Sequence, residues 1–181
     1  MTFDNFTIRP ISNEDASIYH SFVDQNKSRL IKYFPKTVDA NKDIPSTTAH
    51  IIERLKLADK KEFFTFVISD NSSEKIIGAV FIKDLDWNIP KGELGFFVDK
   101  DHEGKGIITK SVSIITKHCF VTLGLNKVFM RIAEDNISSK RVAEKNDFQA
   151  EGFLRKDFKT SEGKLIDVLY YGLLNPVEQK E

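Results

Sequence analysis

Short apolar-rich segments over residues 6–11, 63–69, 76–85, 92–98, 127–132, 148–158 and 166–174 read as strands. Between them apolar positions recur at spacings of three and four. Asn13 with Glu14 and Asp15 after it predicts a helix start, and Ile18, Phe22, Leu30, Ile31 and Phe34 carry helical spacing, broken midway, until Pro35 ends it. A second helix fits residues 46–58, with Ile51, Ile52, Leu55 and Leu57 as its apolar stripe. A third fits 106–123, with Ile108, Val112, Ile115, Cys119 and Phe120 inward, and a short fourth fits 138–145. Polar turns at 70–75, 88–91 and 160–164 join neighbouring strands. The order is strand, two helices, three strands, helix, strand, helix, two strands. A meander followed by crossovers predicts an α/β (α+β) domain with a mixed sheet and helices on its faces.

Composition narrows the function classes. A length of 181 residues suits one domain over 1–181, with one sizeable core. Lys+Arg and Asp+Glu stand at 27 each, so the zero net charge argues against a dedicated nucleic-acid or membrane-surface binder. Cys119 is the only cysteine, which excludes an intrachain disulfide, and its apolar helical setting predicts a buried thiol. MTFDNFTIRP lacks the layout of a signal peptide, and the longest apolar run, IIGAVFI, is too short to cross a bilayer, so a cytoplasmic location is expected. The four histidines show no metal-ligand spacing, and no metal is expected.

The chain has nine glycines, and two of them, Gly104 and Gly106, fall in DHEGKGIITKS between a strand and a helix. Glycine permits positive φ and close approach of a ligand to the backbone. The amides of 103–108 at a helix N-terminus can cradle phosphate oxygens, although a plain turn explains the same residues equally well. Gly104-Lys105 runs on to Gly106 instead of a Ser or Thr, so the segment is not a Walker loop. Thr109 stands where a dinucleotide fingerprint wants its third glycine.

The ordered set of segments resembles the GNAT acyl-CoA-dependent N-acetyltransferase superfamily. Its Gln/Arg-x-x-Gly-x-Gly/Ala loop lands on Glu103 to Ile108, where Gly106 matches strictly and Glu103 and Ile108 depart. GKGIIT at 104–109 resembles instead the Gly-x-Gly-Ile-x-Thr/Ser form of the RimJ/RimL branch of ribosomal-protein N-terminal acetyltransferases. TIRPISNEDA, GELGFFV, NISSKRVAEKNDF, EGFLRK and DVLYYGLL resemble that branch in order and spacing, over roughly residues 6–174. Asp147 replaces the glycine usual before Phe148, a left-handed position that Asn or Asp tolerates.

The resemblance implies the GNAT fold, with a mostly antiparallel sheet of about seven strands and about four helices. It implies transfer of an acetyl group from acetyl-CoA to a primary amine, a protein N-terminal α-amine such as a ribosomal one. The alternatives are a small-molecule amine (polyamine, amino sugar or drug) and a non-catalytic acyl-CoA-binding module. A homodimer is an analogy only. The implied cofactor set is Phe97, Val98, Glu103, Gly104, Lys105, Gly106, Ile107, Ile108, Thr109 and Asn136, with Lys110, Lys140 and Arg141 as further phosphate partners, although a solvated charged face explains most of these lysines equally well. Glu93 is the implied base, direct or through water, or amine anchor, with an edge-facing charge or a buried salt bridge as the competing readings, since its apolar neighbours disfavour the charge unless a cation pairs with it. Asp157 is a weaker candidate. The acid tyrosine expected seven residues after Asn136 is Ala143, which leaves the Ser139 hydroxyl as the candidate proton donor to the thiolate. Asn136 also reads as a helix cap and Ser139 as a solvated first-turn serine. Tyr171 reads as core or pocket wall. Arg29, Tyr33 and Phe34 form a candidate acceptor-binding segment.

Overall fold

The computed structural model describes residues 1–176. Residues 177–181, the end of the expected 1–181 domain, lie outside the described part. The strands are β1 (Thr2–Phe3), β2 (Phe6–Pro10), β3 (Phe64–Asp70), β4 (Lys75–Asp86), β5 (Lys91–Val98), β6 (Lys127–Ala133), β7 (Gln149–Lys159) and β8 (Leu165–Leu174). The helices are α1 (Ala16–Gln25), α2 (Lys27–Leu30), α3 (Pro35–Ala40), α4 (Ile44–Asp59), α5 (Ile107–Val121) and α6 (Ile137–Glu144). The sheet runs β1-β2-β3-β4-β5-β6-β8-β7 and is antiparallel everywhere except between β5 and β6. The mixed, mostly antiparallel sheet that the resemblance implies is therefore present, lengthened by the two-residue β1.

Two apolar clusters sandwich the sheet. On one face α5 buries Ile107, Ile108, Val112, Ile115 and Cys119 against Leu94, Val128, Met130 and Ile132. Burial pushes the Cys119 thiol up to about 12, as a buried thiol with no ionic role should be. On the other face α1, α3 and α4 bury Tyr19, Phe22, Val23, Val38 and Ile51 against Val67, Ala79, Phe81 and Phe97. Ile18 and Ile52, expected in the inner stripes, are exposed.

Three helix boundaries differ from expectation. Pro35 does not end a helix but opens α3, since its ring fixes a helical φ and its missing N–H would be unpaired there in any case. Ser12, not Asn13, caps the first turn. The Asp15 carboxylate accepts from the Ser12 amide at 2.7 Å and pairs with Arg9 at 2.6 Å. Asp43 caps α4 by accepting from the Ser46 amide at 2.7 Å, which draws Ile44 and Pro45 into the helix.

Candidate active site

The parallel pairing of β5 with β6 stops after three positions, Lys91–Lys127, Gly92–Val128 and Glu93–Phe129. β6 goes on in register with β8 to Ala133, while β5 stays with β4 to Val98. The two strands therefore part and leave a wedge-shaped opening. The Asp99 amide donates to the Ile77 carbonyl at 2.7 Å, which fixes the phase of the β4–β5 ladder. Glu93, Gly95 and Phe97 spend their backbone groups on β4, and Phe96 and Val98 turn theirs toward the opening. The expectation for Phe97 changes accordingly. Its side chain lies in the aromatic core, stacked on Phe22 at 5.3 Å, and the backbone groups open to a ligand are those of Phe96 and the Val98 amide, the Val98 carbonyl being taken by Arg29.

Beside the opening, Gly104 (φ 72°) and Gly106 (φ 76°) both adopt left-handed conformations, and a Cβ on either would point into open space. Gly106 caps α5 with no side chain assisting. The first helical bond is Lys110 N–H to Gly106 O, 3.0 Å, so the amides of Ile107, Ile108 and Thr109 remain free at the positive end of the helix. The Glu103 amide, expected in the same cradle, is instead taken by the Lys100 carbonyl at 3.3 Å, and its carboxylate pairs with Arg29.

A cavity of about 590 Å³ joins these features. Of the expected cofactor residues, Phe97, Val98, Glu103, Gly104, Gly106, Ile107, Ile108, Thr109 and Asn136 line it, together with Ser139 and the segment residues Arg29, Tyr33 and Phe34. Lys105 does not line it. Lys110 and Lys140 are also turned away, the first to Asp4 at 2.6 Å and the second to the Glu134 carbonyl at 2.8 Å. The cations on the wall are Arg29, paired with Glu103, and Arg141 and Lys145, one helical turn apart at the end of α6; the His102 side chain also lines it. Phe96, His102 and Lys145 were not singled out from sequence, although the spacing of Lys145 from Arg141 was a usable signal.

Asn136 caps α6 by accepting from the Ser139 amide at 3.1 Å. The Ser139 hydroxyl, by contrast, has no hydrogen-bond partner among the described residues and faces the cavity. Ala143 is buried at 0% exposure in the core, so a tyrosine there would have no room without repacking. Tyr171 is core wall, with a long 3.4 Å contact to Glu144. Arg29 is tied into the frame by bonds to Asn26 Oδ1 (2.9 Å) and Val98 O (3.4 Å), so it anchors the α2 segment to the end of β5. Tyr33 and Lys32 reach across the opening to Asp135 at 3.0 and 2.9 Å, and these two bonds hold the Asp135 carboxyl below its usual range.

Glu93 sits at the apex of the wedge, 5% exposed, and does not line the cavity. It accepts from Arg131 Nε at 2.9 Å and pairs with Lys83 at 2.8 Å. Arg131 also holds Asp84 at 2.6 Å and Asp157 at 3.4 Å. The competing reading, a buried salt bridge, therefore describes the resting position of Glu93. Burial acts to raise the Asp84 carboxyl, but Glu93, Lys83 and Arg131 outweigh it and bring it below its usual range.

Residues 5–149 match the acetyltransferase (GNAT) domain family. The chain is 28% identical to the Probable N-acetyltransferase YjcK of Bacillus subtilis (strain 168), with 96% of each chain covered. It is 22% identical to the spermidine N(1)-acetyltransferase of Escherichia coli (strain K12), covering 83% of this chain and 76% of that one. The crystal structure of ribosomal-protein-S5-alanine acetyltransferase from Vibrio fischeri superposes with a TM-score of 0.91 at 22% identity, covering 97% of this chain and 96% of that one.

Proposed function

The chain belongs to the GNAT acetyltransferase family, and from that premise we propose that it transfers an acetyl group from acetyl-CoA to a protein N-terminal α-amine. The observation that carries the reading is the wedge between β5 and β6, open beside a helix N-terminus with free amides. The amides of Ile107, Ile108 and Thr109, with Arg141 and Lys145 on the facing wall, suit the pyrophosphate of coenzyme A. The gap-facing groups of Phe96 and Val98 suit the amides of its pantetheine arm, which a strand edge binds as it would another strand.

The neutral amine attacks the thioester carbon, the C–N bond forms, the C–S bond breaks, and one proton leaves the nitrogen while one reaches the sulfur. An N–H on the gap-facing edge of β5 stabilises the oxyanion. The Ser139 hydroxyl, free of other partners, protonates or orients the thiolate. Glu93 receives the amine proton, directly or through water.

A protein terminus is preferred over a polyamine because the carboxylates near the apex are already partnered. Glu93, Asp84 and Asp157 are all in ion pairs with Lys83 or Arg131. A polyamine carries several cations and calls for free carboxylates. The spermidine acetyltransferase among the relatives keeps the alternative in the test. That test is turnover with acetyl-CoA over N-terminal peptides and polyamines, read as released CoA and product mass. The reading predicts peptide α-acetylation, and turnover on polyamines alone would overturn it.

A further inference from the structure

Arg131 was not among the residues singled out from sequence, and it stands at the mechanical pivot of the site. Phe129 is the last β6 residue paired with β5, and Arg131 lies two residues further on the same face, already past the point where the strands part. From there its guanidinium crosses back to Glu93 on β5. The ion pair thus spans the two strands where backbone pairing ends.

Two irregular strands bring further carboxylates to the same guanidinium. Neighbours on a regular strand face opposite ways, yet Lys83 and Asp84 both join the cluster, because the β4–β5 register breaks after Lys83 and Asp84 takes a left-handed φ of 49°. On β7 the register breaks between Leu154 and Phe158, Lys156 has a φ of 57°, and Asp157 meets Arg131 at 3.4 Å. Left-handed backbone at residues other than glycine is strained and persists where the surroundings impose it. Of the six such residues among those described, Asp84 contacts this arginine and Lys156 precedes Asp157, which does.

We propose that Arg131 is a positioning residue for acetyl transfer, holding the Glu93 carboxylate at the apex of the wedge and setting its readiness to accept the amine proton. The inference rests on the reading of Glu93 as that acceptor. The groups facing Glu93 are Lys83 and Asp84 from β4, Arg131 from β6, Asp157 from β7 through Arg131, and Tyr170 from β8. Arg131 supplies two of the cationic contacts to Glu93, through Nε and Nη2. Its removal raises the carboxylate's preference for a proton, because an adjacent positive charge stabilises the ionised form.

The experiment compares Arg131→Met, Arg131→Lys and Glu93→Gln in full pH profiles of kcat/KM on an amine turned over by the wild type, with CoA affinity and melting temperature measured alongside. Arg131→Met is expected to lower kcat/KM at neutral pH by about tenfold or more and to move its acidic limb up by about one pH unit, with CoA affinity kept within about twofold. Arg131→Lys retains a cation and is expected to keep the limb near its wild-type position. Combining Glu93→Gln with Arg131→Met should cost little beyond Glu93→Gln alone, since both act through one carboxylate. A purely structural role would lower the melting temperature and leave the limb in place, which overturns the proposal. If Glu93→Gln alone leaves kcat/KM and its profile unchanged, the reading of Glu93 fails instead. Should Arg131→Met not fold, Arg131→Gln against Arg131→Lys carries the same comparison, with Gln expected to move the limb and Lys to keep it.

Discussion

Gly106→Val separates the two roles of the glycine loop, turn and anion cradle. Gly106 has a φ of 76°, and a side chain there would meet nothing within 4 Å in the ligand-free protein. The fold therefore loses only the backbone preference, roughly 1–2 kcal/mol for a left-handed L-residue. That lowers the melting temperature by about 2–8 °C for a chain of this size, so the variant stays folded at 25 °C. The new side chain projects where phosphate oxygens would meet the amides of Ile107, Ile108 and Thr109. Losing one charge-assisted hydrogen bond costs about 1.5–3 kcal/mol, equivalent to about a 10- to 150-fold rise in Kd. Calorimetric titration with CoA measures it, and a pantetheine fragment without phosphates serves as control and should be unaffected. A Kd for CoA within about twofold of wild type, in a variant shown to be folded, would refute the cradle.

Three further outcomes are expected. Ser139→Ala should lower kcat by about tenfold or more with unchanged CoA affinity, since its hydroxyl is free while its amide alone serves the Asn136 cap; a wild-type kcat where chemistry limits the rate would return Ser139 to the helix frame. Asp15→Asn should lower the melting temperature by about 4–8 °C, because the substitution leaves Arg9 without its charge partner at a cost of about 2 kcal/mol. Burial pushes Asp15 upward, but Arg9 and Ser12 outweigh it, so its net pKa is lowered; its stabilisation is therefore present above the unfolded carboxylate value of about 3.9 and is lost as pH falls below it, which a pH series of melting curves reads, and a wild type that loses no more stability on acidification than Asp15→Asn itself does would contradict the sign. Asp135, held low by Lys32 and Tyr33, ties residues 32–33 across the opening by the same sign rule; the protection of the 27–34 amides against hydrogen exchange, taken relative to their intrinsic rates at each pH, should fall below about pH 4 and in Asp135→Asn at neutral pH, and unchanged protection in that variant would remove the tie.

The strands were legible because IIGAVFI and GELGFFV are short apolar runs bounded by polar turns, as strands buried on both faces should be. The glycine loop was legible because Gly104 and Gly106 take conformations that few other residues accept. Pro35 was misread because proline both stops helices and starts them, and only the turn at Phe34 decides between the two. The partners of Glu93 were hidden for a different reason. Arg131 lies 38 residues away, and Asp84 reaches the cluster through a left-handed bulge that strand periodicity does not register. The early parting of β5 and β6 left no mark in either strand's pattern, although it creates the opening on which the proposed function depends.

A crystal structure with acetyl-CoA bound tests the account most directly. It predicts the pyrophosphate on the amides of Ile107, Ile108 and Thr109, the pantetheine amides on the backbone of Phe96 and Val98, and the acetyl group at the apex of the wedge near Glu93. Acetyl-CoA bound with β5 and β6 closed on one another, or with its thioester outside their opening, would contradict it.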